Sequence, residues 1–343
     1  MTITERENLL RVAQGLEPAW VPRKGLFSIS GDPEGHPLSS VGARAMLHPP
    51  RTTESGGRID IFGVEYEPVE SIGGAELPAP NKLILDDITK WREVIKVPSL
   101  DDIDWKAVAE KATEHIDRTQ SCVSMGTHVG YFQHLMNFMG FSEGLIALSE
   151  EPEECMELFE YLAEYYETVA KNLIGLIRPD FYGLTDDTAT ARSPFISNEM
   201  YRAMIKPFHA RLAKIGLDHD CYIEMHNCGR CEESIDDWRE FGVSFWNPAQ
   251  VMNDLVGIKA KYGNSLVLNG CWDSQGPPGW VGASEELVRQ AVRDCIDTFA
   301  PGGGFCFWAS LYGRADDQQF LNHALWITDE YNKYGRTFYQ RQG

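Results

Sequence analysis

The sequence predicts an α/β protein built as a closed parallel barrel. From Ser121 onward, short β-rich runs alternate regularly with helical stretches, the pattern of strands joined by crossover helices. In addition, no Gly-x-Gly-x-x-Gly follows a strand, so an open dinucleotide-binding sheet loses its main support. The chain's 343 residues, 43% of them hydrophobic, are enough for one large core.

The elements follow in order. Thr4-Glu5-Arg6-Glu7 forms a capping box, and Leu9, Leu10, Val12 and Ala13 give the short helix behind it an apolar side before Gly15. A first strand is expected over Gly25–Ser30. Residues 31–82 are rich in Gly, Pro and Ser with one apolar stretch around Ile59–Tyr66; they read as an insertion near the active-site mouth that holds a small hairpin. Further strands are expected at Cys122–Met125, Phe181–Leu184, Tyr222–Cys228, Val243–Trp246, Leu266–Gly270 and Gly304–Ala309. Between them, Met156, Phe159, Leu162, Tyr166, Val169, Leu173 and Ile177 recur at helical spacing within Glu154–Ile177. Ser284 caps another helix, with Leu287, Val288, Ala291, Val292 and Ile296 on its buried face. The whole of 1–343 reads as one domain, with no internal repeat and no low-complexity tract.

Composition narrows the function. The formal charge is −20, from 51 acidic and 31 basic side chains, which opposes binding to nucleic acid. No apolar run is long enough for a membrane span, and the polar start lacks a signal core, so a cytoplasmic protein is expected. The eight cysteines then read as reduced thiols, some available to a metal.

The chemistry is expected at Tyr222-Ile223-Glu224-Met225-His226-Asn227-Cys228-Gly229. In a strand the side chains alternate, so Glu224, His226 and Cys228 share one face. A carboxylate, an imidazole and a thiol on one buried face are costly without partners, and a zinc ion satisfies all three. A solvated barrel mouth with an unpaired histidine is the plain alternative. Cys228 and Cys231 form a Cys-x-x-Cys, but no second pair completes a zinc ribbon. A fourth ligand is expected from Cys271, at a strand's carboxyl end, or from Cys306, which reads equally well as core. Around these ends stand His128, Tyr131, Asp186, Asp187, Trp246, Asn247, Asn269, Trp272 and Trp308, an aromatic-walled, acid-bearing pocket. Asp186 and Asp187 point to opposite sides of an extended chain, and Asp187 is the one expected to face the pocket.

With these residues in view, the chain resembles the uroporphyrinogen decarboxylase superfamily, and within it the corrinoid-linked methyltransferases. Glu5-Arg6-Glu7-Asn8-Leu9-Leu10 through Gly15-Leu16-Glu17-Pro18 and Val21-Pro22 is similar to the family's amino-terminal helix and strand entry. Met225-His226-Asn227-Cys228-Gly229 is similar to the His-x-Cys-Gly zinc motif of the methyltransferase branch, and Asn269-Gly270-Cys271-Trp272-Asp273 to a family turn. The resemblance implies a (β/α)8, or TIM, barrel with an N-terminal helix, a zinc ion, and a methyl group passed between a small substrate and the corrinoid (cobalamin) of a partner protein.

Two departures shape the expected activity. Decarboxylases carry an arginine-rich signature after the first strand, where this chain reads Arg23-Lys24-Gly25-Leu26-Phe27-Ser28-Ile29. Thiol-methylating members have a third zinc ligand in a Pro-Gly-Cys-Gly turn, where this chain reads Gly304-Phe305-Cys306-Phe307-Trp308. The leading expectation is therefore O-demethylation of a methyl ether, a methoxylated aromatic being the expected donor. Glu224, His226, Cys228 and Cys271 would hold zinc, Asp187 or His128 would supply the proton, and Tyr131, Asp186, Trp246, Asn247, Asn269 and Trp308 would contact substrate. Methylcorrinoid:thiol methyl transfer and tetrapyrrole decarboxylation are the alternatives, and a homodimer is left open.

Overall fold

The computed structural model describes residues 3–25, 32–49, 51–54, 56–70, 74–127, 129–314 and 316–341. The strands are β1 (Ser40–Gly42), β2 (Arg51–Thr52), β3 (Arg58–Ile59), β4 (Glu65–Val69), β5 (Ala75–Pro78), β6 (Cys122–Gly126), β7 (Phe181–Thr185), β8 (Tyr222–His226), β9 (Val243–Ala249), β10 (Val267–Cys271) and β11 (Phe305–Trp308). β1 and β6 to β11 form a curled seven-stranded parallel sheet in the order β1-β6-β7-β8-β9-β10-β11. β2 to β5 form a separate antiparallel sheet. Beyond β11 an eighth position is marked, among the described residues, by one parallel bridge from Phe307 to Arg23 and by the Phe307 N–H donating to the Pro22 carbonyl at 2.9 Å.

The α/β class and the parallel strands agree with expectation, while full eight-stranded closure is not seen among the described residues. The bridge falls at Arg23, ahead of the expected Gly25–Ser30 strand, whose residues 26–30 lie outside the described residues. Residues 31–82 need correction as well. Their Ser40–Gly42 segment belongs to the main sheet, paired with β6, and the expected hairpin is part of a four-stranded sheet. Three residues, two half-buried and one exposed, carry too little periodicity to be read as a strand.

The helices are α1 (Glu5–Ala13), α2 (Trp91–Val94), α3 (Trp105–Thr113), α4 (Tyr131–Met139), α5 (Phe141–Glu150), α6 (Pro152–Ile177), α7 (Asn198–Met204), α8 (Lys206–Leu217), α9 (Ile235–Glu240), α10 (Leu255–Tyr262), α11 (Glu285–Phe299) and α12 (Gln318–Glu330). Local chemistry sets several boundaries. In α1 the Thr4 hydroxyl accepts from the Glu7 N–H while Glu7 returns a bond to the Thr4 N–H. α6 begins on Pro152 and ends where Arg178 turns left-handed at φ 50°. α11 starts on Ser284, which caps the Leu287 N–H. Leu287 itself, expected on the buried face, is exposed, because the stripe of Val288, Val292, Cys295, Ile296 and Phe299 runs one position further round. No described helix is long and apolar enough to cross a membrane.

α1 closes the amino end of the sheet. Its Leu9 and Val12 are fully buried with Cys122, Phe181, Phe245, Val267 and Cys306, side chains from the inner face of β6, β7, β9, β10 and β11. The opposite alternation, Val123, Tyr182, Ile223, Met225, Trp246, Leu268 and Phe305, packs against the helices. The carboxyl ends of the strands are thus the open side of the inner face, where a parallel barrel keeps its chemistry.

The small sheet packs on α4 through Phe62, which lies edge-on to His134 and Phe138 at 5.2 and 5.3 Å between ring centroids. The same His134 ring stacks on Tyr166 of α6, and its Nε2 lies 2.8 Å from the Tyr166 hydroxyl. Burial lowers its pKa to about 4, since a charged imidazole there would lose its hydration. The unfolded chain therefore takes up the proton first, and the stability that neutral His134 contributes above pH 6.5 is lost as pH falls toward 4. Urea unfolding at pH 7 and pH 4 should show His134→Gln losing less stability on acidification than the parent, by up to about 3 kcal/mol.

Candidate metal centre

Asp187, His226 and Cys228 meet at the carboxyl ends of β7 and β8, with one ligating atom of each lying within 4.8 Å of the others. His226 is the last residue of β8 and faces inward, two positions beyond Glu224. After it the chain leaves the strand. The Asn227 side chain, fully buried, accepts from the Thr188 N–H at 3.2 Å and donates to the Thr188 hydroxyl at 2.8 Å, tying this turn to the one after β7. Cys228 is therefore placed by a turn and not by strand alternation, which corrects the expected strand Tyr222–Cys228 at its last two residues.

Gly229 makes that turn at φ 92°, and a Cβ there would lie 2.6 Å from the carbonyl oxygens of both Ala189 and Thr190. Its N–H donates to the Gln250 Oε1 at 2.6 Å. The turn aims the Cys228 N–H at the Asp187 Oδ1, 2.7 Å away, and Gln133 of α4 donates to the other Asp187 oxygen at 3.2 Å. The Cys228 sulfur lies 3.7 Å from His226 Nε2, which is 3.9 Å from Asp187 Oδ1. His226 Nδ1 is 2.6 Å from Asn247 Oδ1; a proton on Nδ1 donates to Asn247 and leaves the Nε2 lone pair toward the other two donors. Burial first, then the charge and hydrogen bonding of Asp187, push the Cys228 thiol well above its ordinary range. A proton or a cation is thus required at this sulfur, and imidazole, thiolate and carboxylate are together the donor set zinc takes.

Glu224 does not join this group. It faces inward as expected, but its Oε2 accepts from the Lys24 ammonium, which crosses the inner face from the segment beside β11 and also lies over the Phe181 ring at 4.9 Å. Both side chains are buried, and a buried carboxylate takes the nearest cation the chain supplies. Asp187, expected as an acid, occupies the carboxylate position that Glu224 was expected to fill.

Cys271 borders the cavity in front of His226 and Cys228 at the end of β10, with φ 63°, but its sulfur is not one of the converging atoms. Cys306 lies deep on the inner face with Cys122 and Val267, as core. Cys231 is buried and its thiol donates to carbonyls of its own turn, among them Cys228 at 3.1 Å. Burial and the neighbouring Cys228 and Asp187 charges hold its pKa well above the ordinary value, against a redox pair.

The expected substrate contacts divide. Trp308 lines the cavity with Trp272, and Asn247 reaches the centre through His226. Asn269 is buried on the inner face, with no partner for its Oδ1 among the described residues. Tyr131 is fully buried away from the cavity, its ring 5.0 Å from Phe208 and 5.9 Å from Phe159. Asp186 accepts from the Phe132 and Gln133 N–H groups, both at 3.1 Å, and so caps the first turn of α4. Trp246 is fully buried beside Trp238 and donates to the Asn227 carbonyl at 3.2 Å. These three serve packing and capping because their side chains point to the helix layer. His128 lies outside the described residues. Gln133 and Lys24 were not anticipated; each reaches its partner across the fold, and no local pattern announces either.

The cavity holds about 140 Å³ and is walled by Pro248, Met252, Trp272, Trp308 and Tyr312, with His226 and Cys228 at its base. With three mixed donors at strand ends under an aromatic pocket on a parallel α/β fold, the protein carries a candidate metal centre. Its sequence matches the uroporphyrinogen decarboxylase (URO-D) family over residues 60–308, and the chain belongs to that family. A methyltransferase from Methanosarcina mazei shares the fold at a TM-score of 0.59 and 14% identity, over 96% of this chain and 100% of that one. A B12-independent methionine synthase from Shewanella sp. W3-18-1, in complex with selenomethionine, aligns at a TM-score of 0.43 and 11% identity, over 82% of this chain and 76% of that one. No curated protein matches the sequence.

Two substitutions probe these contacts. Lys24→Met should cost about 3–5 kcal/mol in urea unfolding by leaving Glu224 buried and unpaired, and a paired Glu224→Met should restore most of it. Gly229→Ala should lower stability by about 1–3 kcal/mol in the same measurement, from the left-handed backbone and the two carbonyl contacts.

Proposed function

We propose that this chain is a zinc-dependent methyltransferase that takes a methyl group from a methyl ether, a methoxylated aromatic compound, and passes it to the corrinoid of a partner protein. The observation that carries the reading is the convergence of Asp187, His226 and Cys228 at the base of a cavity on the carboxyl-end face. Membership of the URO-D family and a fold shared with a methyltransferase support methyl transfer in general.

Aryl ethers are cleaved slowly because the expelled oxygen carries charge, and zinc, when bound, supplies a Lewis acid for that charge. The chain's own residues do the orienting. Asn247 keeps the His226 ring turned, while the Cys228 N–H and Gln133 hold both oxygens of Asp187. Trp272 lines the cavity, and its indole N–H has no acceptor among the described residues; a ligand oxygen there would satisfy it. The apolar walls exclude water from the methyl carbon, which must stay open to a corrinoid approaching from the same face.

Metal analysis tests the centre and its membership. Purified protein should carry about one equivalent of zinc, largely lost from Cys228→Ala and Asp187→Ala and retained by Glu224→Gln. Retention in the first two variants and loss in the third would reverse the assignment. With reduced corrinoid protein supplied, methoxyarene demethylation should fall in step with zinc content, whereas methylation of a thiol by methylcorrinoid without ether cleavage would reject the proposed direction.

A further inference from the structure

A second cavity, larger than the first at about 920 Å³, lies between the small antiparallel sheet and helices α4 and α6. Its body is aromatic: Phe62, Tyr66, His134, Tyr165 and Tyr166 form much of the wall. Its rim carries three arginines, Arg44, Arg51 and Arg58. In a chain of net charge −20 such a gathering of cations is out of keeping with the surface at large.

The three are not equivalent. Arg58 is engaged, with its Nε donating to Glu76 at 2.7 Å and its guanidinium 4.0 Å above the Tyr66 ring. Arg44 and Arg51 have no carboxylate partner among the described residues. Asp60 is the only acid among the described lining residues, and it is already committed, accepting from the Phe62 and Val64 N–H groups and from the Tyr66 hydroxyl. His48, also on the wall, has a buried Nε2 with no partner among the described residues. Among the described residues the cavity thus offers two guanidinium groups without a carboxylate partner and a ring nitrogen beside a set of aromatic faces.

We propose that this cavity binds an aromatic carboxylic acid, with its ring among Phe62, Tyr66 and His134 and its carboxylate between Arg44 and Arg51. Guanidinium groups pair with carboxylates through charge-assisted hydrogen bonds, and the aromatic walls take the ring. At its inner end the cavity is lined by Gly126, Gly130 and Gln133, and the Gln133 amide is the group that holds Asp187 of the metal centre. One side chain therefore separates the two. The acid bound here is a second ligand beside the metal centre, distinct from the methyl donor proposed above, and its binding stands without that reading.

Calorimetric titration of the purified chain, with no corrinoid protein present, separates the two claims. Para-methoxybenzoate should bind the parent at least about tenfold more tightly than para-methoxybenzyl alcohol, the same ring without the charge. Arg44→Gln/Arg51→Gln should remove most of that advantage and leave the alcohol within about twofold, since both side chains are exposed and their loss spares the core. Equal binding of acid and alcohol by the parent, or acid binding unchanged in the double variant, would overturn the proposal. So would tighter, arginine-dependent binding of coproporphyrin, which would assign the carboxylates to a tetrapyrrole. Failure of methyl transfer with acid binding intact would instead count against the function proposed above.

Discussion

A charge on the inner face of a parallel sheet must find a partner there, and the arrangement of this molecule follows from how each one does. β8 points Glu224 and His226 inward at successive levels. Below them lies an apolar floor of Phe181, Phe245, Val267 and the α1 residues Leu9 and Val12, which can solvate neither. Glu224, the deeper of the two, is met by Lys24; His226, at the rim, is met by Asn247 on one nitrogen and by Asp187 and Cys228 around the other. The lower pair is a buried salt bridge through Glu224 Oε2, with Oε1 left without a partner among the described residues. In the upper group three donor side chains converge instead, and this difference separates the salt bridge from the candidate site.

The turns after β7 and β8 convert that requirement into geometry. Asn227 and Thr188 lock the two turns together, Gly229 bends the backbone where a side chain has no room, and Asp187 accepts from the Cys228 N–H. A carboxylate that caps a neighbouring turn is held in place by backbone groups, so it is oriented before any ligand arrives. Asp186, one residue earlier, does the same for α4 on the other side of the chain. Adjacent acids thus serve two layers, one binding helix to sheet and one joining His226 and Cys228 at the strand ends.

The two cavities differ in charge. The smaller, over the donor group, is bounded by indole, phenol and thioether side chains, with Asp273 on its wall. The larger, on the flank under the small sheet, is edged by arginine. Gln133 stands between them, touching Asp187 while lining the larger space. At the start of α4 its backbone N–H donates to the capping Asp186 and its side-chain amide to Asp187, so Gln133 is tied to both acids.

Much of this was legible in the residues alone. The alternation within Phe181–Thr185, Tyr222–His226 and Val267–Cys271, the helical spacing within Pro152–Ile177 and the caps at Thr4 and Ser284 are local, and local patterns reflect backbone geometry that neighbours in sequence enforce. His226 and Cys228 were expected together by strand alternation; they do meet, but the turn closed at Gly229 brings the sulfur to the ring. Which carboxylate joins them was not legible. Glu224 is nearer in sequence, but Lys24 sits 200 residues away and claims it, while Asp187 arrives from another strand. β1 was hidden likewise, since three residues become a strand only when β6 lies beside them. The sequence by itself determined the repeating unit and the chemistry carried on one strand; only the tertiary structure decided the partners, because a charge takes whatever counter-charge the fold brings within reach.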